Sequence, residues 1–349
     1  MTLCHKAPFA LVLALALLTT GCGGSDEEPT EVVLVTHDSF AISGDVKRAF
    51  EEKSGLTLRI LKAGDAGEIV TRALLTAGNP EGDVLFGVDN NLLQRALDGD
   101  VFEAYEPSAL DAVDPELVVD PEHRATPIDR GDVCLNYDKT WYAERGLEPP
   151  DSLGDVVDIR YKGQLVVENP ATSTPGLAFM LATIARFGDP EVQGFWRLLR
   201  LNDVLVVDGW EEAYNVRFSG SSGKGPRPIV VSYASSPPAE VIFRTPRPQR
   251  VPTAVIEDSC FRQIELAGVL RGARNPEGAR ELIDFMLSTR FQEDIPLQMF
   301  VFPARGDAAL PPEFEQFAVV PESPLELPPE EIEENRERWV EEWTDIVIR

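Results

Sequence analysis

Histidine is almost missing from this chain: 349 residues include three, His5, His37 and His123. So few leave little room for a histidine-rich metal site or a His-based catalytic triad. Positive charge is also scarce, with 32 Lys+Arg against 59 Asp+Glu and a formal charge of −27. Phosphate backbones repel such a chain, which argues against any nucleic-acid partner. Cationic partners stay compatible, although strong net charge by itself mainly keeps a protein soluble. No G-x-S-x-G elbow and no H-E-x-x-H occurs. Gly220–Lys224 superficially suggests a phosphate loop, but Phe218 stands where its first glycine belongs and Gly225 where a Ser/Thr should bind Mg²⁺. Acids such as Asp38, Asp89 and Asp129 are more often solvated groups or caps than catalysts. An enzyme is therefore not expected, and an exported hydrolase is the weakest reading.

Long apolar runs are absent beyond the N-terminus. Residues 1–21 (MTLCHKAPFALVLALALLTTG) carry Lys6, an apolar run from Ala7 to Leu18, then small residues. The run is too short for an ordinary spanning helix and has the layout of a secretory signal. Thr19-Thr20-Gly21-Cys22 resembles a bacterial lipobox, with cleavage before Cys22 and lipidation of its thiol; plain secretion is the alternative. Residues 22–31 then read as a flexible polar tether. Cys4 leaves with the signal and Cys22 takes lipid, so Cys134 and Cys260 remain. In an oxidising setting they are candidates for a disulfide; two separately buried thiols are the competing reading.

What is present is a core-forming composition. At 43% hydrophobic residues and 8% aromatics, the chain can build one large or two smaller domains. Strand-like runs at 31–36, 56–61 and 83–88 are separated by helical patterns at 45–53, 68–76 and 90–97. Further strands are expected at 132–137, 164–168, 204–207, 229–233, 253–256 and 264–269, with helices at 177–187, 276–287, 291–295 and 328–344. This alternation predicts an α/β fold with mostly parallel sheets. Ligands then bind beyond the carboxyl ends of strands, which draws attention to His37–Phe40, Gly64–Gly67 and Asp89–Asn91.

Three motifs follow strands in the same way. Thr172-Ser173-Thr174-Pro175-Gly176 puts hydroxyls at a helix start, where free N–H groups suit an anion or a polar ligand edge. Gly209-Trp210-Glu211-Glu212 and Ser232-Tyr233-Ala234-Ser235-Ser236-Pro237 add rings and more hydroxyls. Taken singly, Trp210 and Tyr233 read as core aromatics; together the motifs suit a pocket for a flat, cationic ligand.

With Asp38-Ser39-Phe40, Gly87–Leu93 (GVDNNLL) and Asn136–Lys139 (NYDK), these motifs resemble the thiamine-binding subunits of bacterial ABC importers, in order from about Val33 to the C-terminal helix. The resemblance implies a two-lobed, type II periplasmic-binding-protein-like fold with the ligand in the interlobe cleft. Each lobe would be a mixed, mostly parallel sheet flanked by helices. It implies lobe 1 over 32–132, lobe 2 over 133–255 and a return to lobe 1 over 256–349, with Cys134 and Cys260 on the two crossovers. It also implies a lipid-anchored receptor on the outer face of the cytoplasmic membrane, acting as a monomer. That receptor would capture thiamine or thiamine phosphate and pass it to a permease driven by an ATPase subunit, without a cofactor. Ferric ion or a polyamine is the alternative ligand on the same fold. By matching motif, Ser173 and Thr174 would meet the ligand, Trp210 would lie against a ring, and Tyr233, Ala234, Ser235 and Ser236 would line the opposite side. Asp38, Asp65, Ala66 and Gly67 would serve from the first lobe. Phe300 stands where the family has a larger aromatic, and could supply a ring without a hydrogen bond.

Overall fold

The computed structural model describes residues 1–2, 30–221 and 225–349. The expected export signal, Cys22 and nearly all of the tether lie outside the described residues. β1 (Glu31–Thr36) is buried at every position after its first, as an apolar run inside a covered parallel sheet must be. Ser43 accepts from the Val46 amide and caps α1 (Gly44–Ser54), which Gly55 ends in the left-handed region at φ 75°. β2 (Thr57–Lys62), α2 (Ala66–Leu75), β3 (Val84–Asp89), α3 (Leu93–Asp98) and β4 (Phe102–Glu103) follow, and then the long β5 (Thr126–Asp138). The next stretch holds α4 (Lys139–Arg145), β6 (Leu165–Glu168), α5 (Thr174–Phe187), α6 (Val192–Leu201), β7 (Leu205–Val207), β8 (Ile229–Tyr233) and α7 (Ala239–Ile242). β9 (Thr253–Leu270) leads back to α8 (Pro276–Met286), α9 (Thr289–Gln292), α10 (Ile295–Gln298), β10 (Phe302–Pro303), α11 (Pro312–Phe317) and α12 (Pro329–Trp343).

The main strand order is β2-β1-β3-β9-β5-β8-β6-β7. β1 runs parallel to β2 and β3 at one end, and β6 runs parallel to β7 and β8 at the other. Between them β5 and β9 are antiparallel partners from Thr126↔Ala267 to Asp138↔Thr253. β9 meets β3 through Glu265–Val269, whereas β5 meets β8 through Val133–Tyr137. The two long strands thus carry the chain from one parallel sheet to the other and back, which makes the molecule two-lobed.

β9 departs from the sequence reading, which placed separate strands at 253–256 and 264–269. It is one strand of 18 residues. Its register shifts opposite Val133–Leu135, and this irregularity accommodates the polar Glu257-Asp258-Ser259. The Ser259 hydroxyl accepts from the Leu135 amide at 2.8 Å and so satisfies a donor that the shifted ladder leaves over. Cys134 and Cys260 form a disulfide here, with Cα atoms 4.2 Å apart. The helix expected from residue 90 starts only at Leu93, because the Asp89 carboxylate accepts from the Asn91 and Leu92 amides and holds that turn apart. α12 packs on α3 and also on α6. Trp339 and Trp343 are buried there, and Arg200 donates to the Ile346 and Arg349 carbonyls. The C-terminal segment, expected to return to the first lobe, therefore touches both.

Candidate ligand-binding site

A cavity of about 300 Å³ lies between the lobes, a size suited to a small solute. Of the residues expected to meet the ligand, Asp38, Asp65, Ala66, Thr174, Trp210, Tyr233 and Phe300 line it, with the rest of the marked segment His37–Phe40 beside Asp38. Each reaches the cleft from the end of a secondary element, Thr174 from the first turn of α5 and Tyr233 from the last residue of β8.

Asp65 is central to this meeting. As the N-cap of α2 it forms a capping box with Glu68. Its other oxygen accepts from the Trp210 amide at 3.1 Å, across the cleft. The Ser173 hydroxyl lies beside the same carboxyl. Backbone approaches equally closely at Gly67, where a Cβ would stand 2.5 Å from the Thr172 carbonyl oxygen. At Gly209 a Cβ would stand 2.7 Å from Asp65 Oδ2. Glycine at both positions is what lets the first turn of α2 seat against the second lobe. Burial pushes the Asp65 carboxyl up to about 6, although the Trp210 and Ala66 amides work in the other direction.

The aromatic wall is held by hydrogen bonds. Trp210 stacks on Tyr214 with ring centres 5.0 Å apart and planes 13° apart. Its indole N–H donates to Ser232 Oγ at 3.0 Å, and that hydroxyl is bonded to Ser236 Oγ at 2.8 Å. Tyr233 donates its hydroxyl to Gln263 Oε1 at 2.8 Å, and its ring lies over Gly131, where a Cβ would meet it at 2.7 Å. Gln263 in turn donates to Asp89 Oδ2 and to Thr174 Oγ1, tying both lobes to β9. At the mouth, Phe300 from the first lobe meets Phe243 from the second edge-to-face at 5.3 Å. Phe300 holds a left-handed φ of 57°, a conformation uncommon without glycine and one that clusters at ligand sites.

The remaining expected residues stand behind this surface. Ser236 supports Trp210 through Ser232 and does not face the cavity. Ala234 packs on the Cys134–Cys260 pair, and Ser235 is fully buried. Ser173 and Gly67 form the lobe contact rather than the lining. Alternation along an extended chain explains part of this: with Tyr233 on the cleft side, its neighbour Ala234 points away.

Several lining residues had no motif to announce them. Glu265 comes from β9 and faces His37, which the sequence had marked just after β1, with His37 Nε2 3.4 Å from Glu265 Oε1. Burial and the Lys62 charge lower His37 to about 4, so it is neutral at ordinary pH. Glu240 accepts from the Tyr214 hydroxyl at 3.0 Å and from Arg244, and both Glu240 and Arg244 reach the cavity edge. The charge of Glu265 inside an otherwise apolar strand run (IELAGV) was the available signal.

Two lobes joined by paired crossover strands, closing on a small aromatic and acidic cavity, define a solute-binding protein. The chain belongs to the bacterial extracellular solute-binding proteins, whose family model matches residues 79–323. It is 31% identical over 326 residues to the thiamine-binding periplasmic protein of Salmonella typhimurium, covering 91% of this chain and 94% of the relative. To the protein of the same description from Escherichia coli it is 31% identical over 324 residues, again 91% and 94%. A solved periplasmic thiamin binding protein superposes with a TM-score of 0.80 at 30% identity, covering 93% of this chain and 98% of that one.

Proposed function

We propose that this protein is the extracytoplasmic receptor of a thiamine importer, capturing thiamine by closure of its lobes and delivering it to a permease driven by an ATPase subunit. The observation that carries this reading is the pairing of the Trp210–Tyr233 wall with a floor of buried carboxyls. Thiamine has a permanently charged thiazolium and a flat aminopyrimidine, and each cation–π contact is worth roughly 0.5–2 kcal/mol. The resemblance to proteins described as thiamine-binding over nine-tenths of the chain points the same way.

Asp65 then acts as the clasp: its bond to the Trp210 amide holds the ligand's aromatic wall against the first lobe. Thr174, in the first turn of the apolar helix α5, and Arg244 at the cavity edge would receive a phosphate, so thiamine phosphate belongs among the ligands. The lobes are assigned as 32–132 and 133–255, with 256–349 completing the first. Cleavage before Cys22 and lipidation of that residue would leave a monomer tethered by residues 22–31 to the outer face of the cytoplasmic membrane.

Thermal unfolding of the mature protein with excess thiamine, thiamine phosphate, spermidine or Fe³⁺ tests the reading. A ligand that binds only the native state raises the midpoint by mass action. A rise with thiamine compounds alone is expected; a rise only with spermidine or iron would keep the fold and overturn the vitamin.

A further inference from the structure

Glu265 on β9 lines the cleft, and Asp129 on β5, its direct cross-strand partner, lies behind the lining. Both are buried, at 6% and 0% exposure. Two carboxylates facing each other in a ladder repel, and removal from water makes that repulsion severe. The surroundings add little compensation. Apart from the facing Glu265 carboxyl, neither oxygen of Asp129 has a hydrogen-bond partner, and neither does Nε2 of His37, a cavity-lining side chain that is 6% exposed. The groups facing Glu265 are Asp65 from α2, Asp89 from β3, Asp129 from β5, Tyr233 from β8 and neutral His37 from β1. None of these supplies a positive charge. Lys62 and Arg244 also line the cavity, where the Lys62 ammonium donates to the Asp38 carbonyl at 2.7 Å and Arg244 pairs with Glu240.

Resting on the thiamine reading above, we propose that Glu265 is the counter-charge for the ligand's cation, and that the proton Glu265 carries is released to solvent when the cation enters, while Asp129 stays protonated. The Asp129 carboxyl keeps the last proton because it is the more deeply buried of the two and carries no other donor. Glu265 reaches the cavity and is the oxygen acceptor a cation can approach. Binding then exchanges one positive charge for another, so the floor carries the same net charge before and after. A neutral molecule of the same shape gains nothing from this exchange. The arrangement therefore selects for charge as well as for rings. Burial raises Glu265 to about 7 and holds Asp129 well above the usual carboxyl range, so both carboxyls of the pair take up protons far more readily than exposed acids do.

The test is calorimetric titration of the mature protein with thiamine at pH 6.5, repeated in buffers of different ionisation enthalpy. With Glu265 titrating at about 7, roughly three-quarters of a proton should leave per thiamine bound. The uncharged isostere, with carbon in place of the thiazolium nitrogen, should bind at least tenfold more weakly and release none. Glu265→Gln should abolish the buffer dependence and weaken thiamine at least tenfold, while Asp129→Asn, which mimics the protonated partner, should keep both the release and most of the affinity. Thiamine binding with buffer-independent heat, or equal affinity for the isostere, overturns the proposal. Absence of any thiamine binding overturns the receptor reading instead. Should a variant fail to fold, the buffer series and the isostere on the unaltered protein still decide.

Discussion

Gly67→Ala separates closure from folding by giving them opposite signs. Gly67 lies in the first turn of α2, where alanine removes the entropic cost of glycine, a gain of up to about 1 kcal/mol. An isolated first lobe would welcome the change. In the arrangement of lobes described here the new Cβ would stand 2.5 Å from the Thr172 carbonyl oxygen and 2.8 Å from its carbon. Ordinary contact begins at 3.4 Å, so backbone must retreat by 3.4 − 2.5 = 0.9 Å. Neither partner is a flexible side-chain end, and overpacking of this kind costs roughly 1–3 kcal/mol. That cost falls on the closed state, so affinity should drop roughly 5- to 150-fold. Calorimetric titration with thiamine, beside the ligand-free unfolding midpoint, measures both sides. The expected outcome is weaker binding with an unchanged or slightly raised midpoint. Affinity within twofold of the parent protein would refute the claim that this contact belongs to the bound state, and a lowered midpoint would show that alanine disturbs the lobe itself.

Three further outcomes follow from the same geometry. Trp210→Ala removes a stacked ring and its cation–π face, worth roughly 1–2 kcal/mol, so thiamine should bind roughly 5- to 30-fold more weakly by tryptophan-quenching titration; unchanged affinity would remove Trp210 from the site. Replacing Cys134 and Cys260 by Ala frees a loop of 126 residues, about 5 kcal/mol of loop-closure entropy, and should lower the unfolding midpoint by about 5–8 °C. A fall under 2 °C would contradict the entropic account. Finally, Asp89, raised to about 6, and Glu265, raised to about 7, hold more protons folded than unfolded. Their contribution is complete below the ordinary carboxyl range and is lost as pH rises through 6 to 7. The ligand-free midpoint should therefore fall between pH 5 and pH 8, with a shallower slope in Glu265→Gln; a midpoint that climbs over that range would reverse the assignment.

Much of the first lobe was legible because its signals are local. Ser43 and Gly55 punctuate α1, and the apolar runs at 31–36 and 83–88 lie where strands lie. Trp210, Tyr233 and Thr174 were visible as rings and hydroxyls just past strands, and the cavity gathers all three. α6 was missed although Val192, Phe195, Trp196 and Leu199 follow a helical spacing and are its buried face. The continuity of β9 was hidden because its polar interruption is absorbed by pairing with β5, a partner about 120 residues distant in sequence. The roles of Glu265 and Gln263 were hidden for the same reason, since they come from Asp129, Asp89 and Thr174, which only the crossover brings near; the charge of Glu265 in an apolar run marked the position but not its partners. Among 59 acids, position in sequence does not separate a buried carboxyl from a solvated one.

The seat of α12 has a consequence for how the molecule is made. Ribosomes deliver the chain from its N-terminus, so the residues of both sheets and both crossovers are made before residues 329–348. Until then the surface shared by α3 and α6 lacks Trp339 and Trp343, the two large side chains that end up buried there. Every cavity-lining residue precedes this outer brace in the chain. A chain cut short in this last stretch should retain every cavity-lining residue yet offer proteases an apolar seam, so quality control, and not ligand recognition, is where such a truncation would be felt.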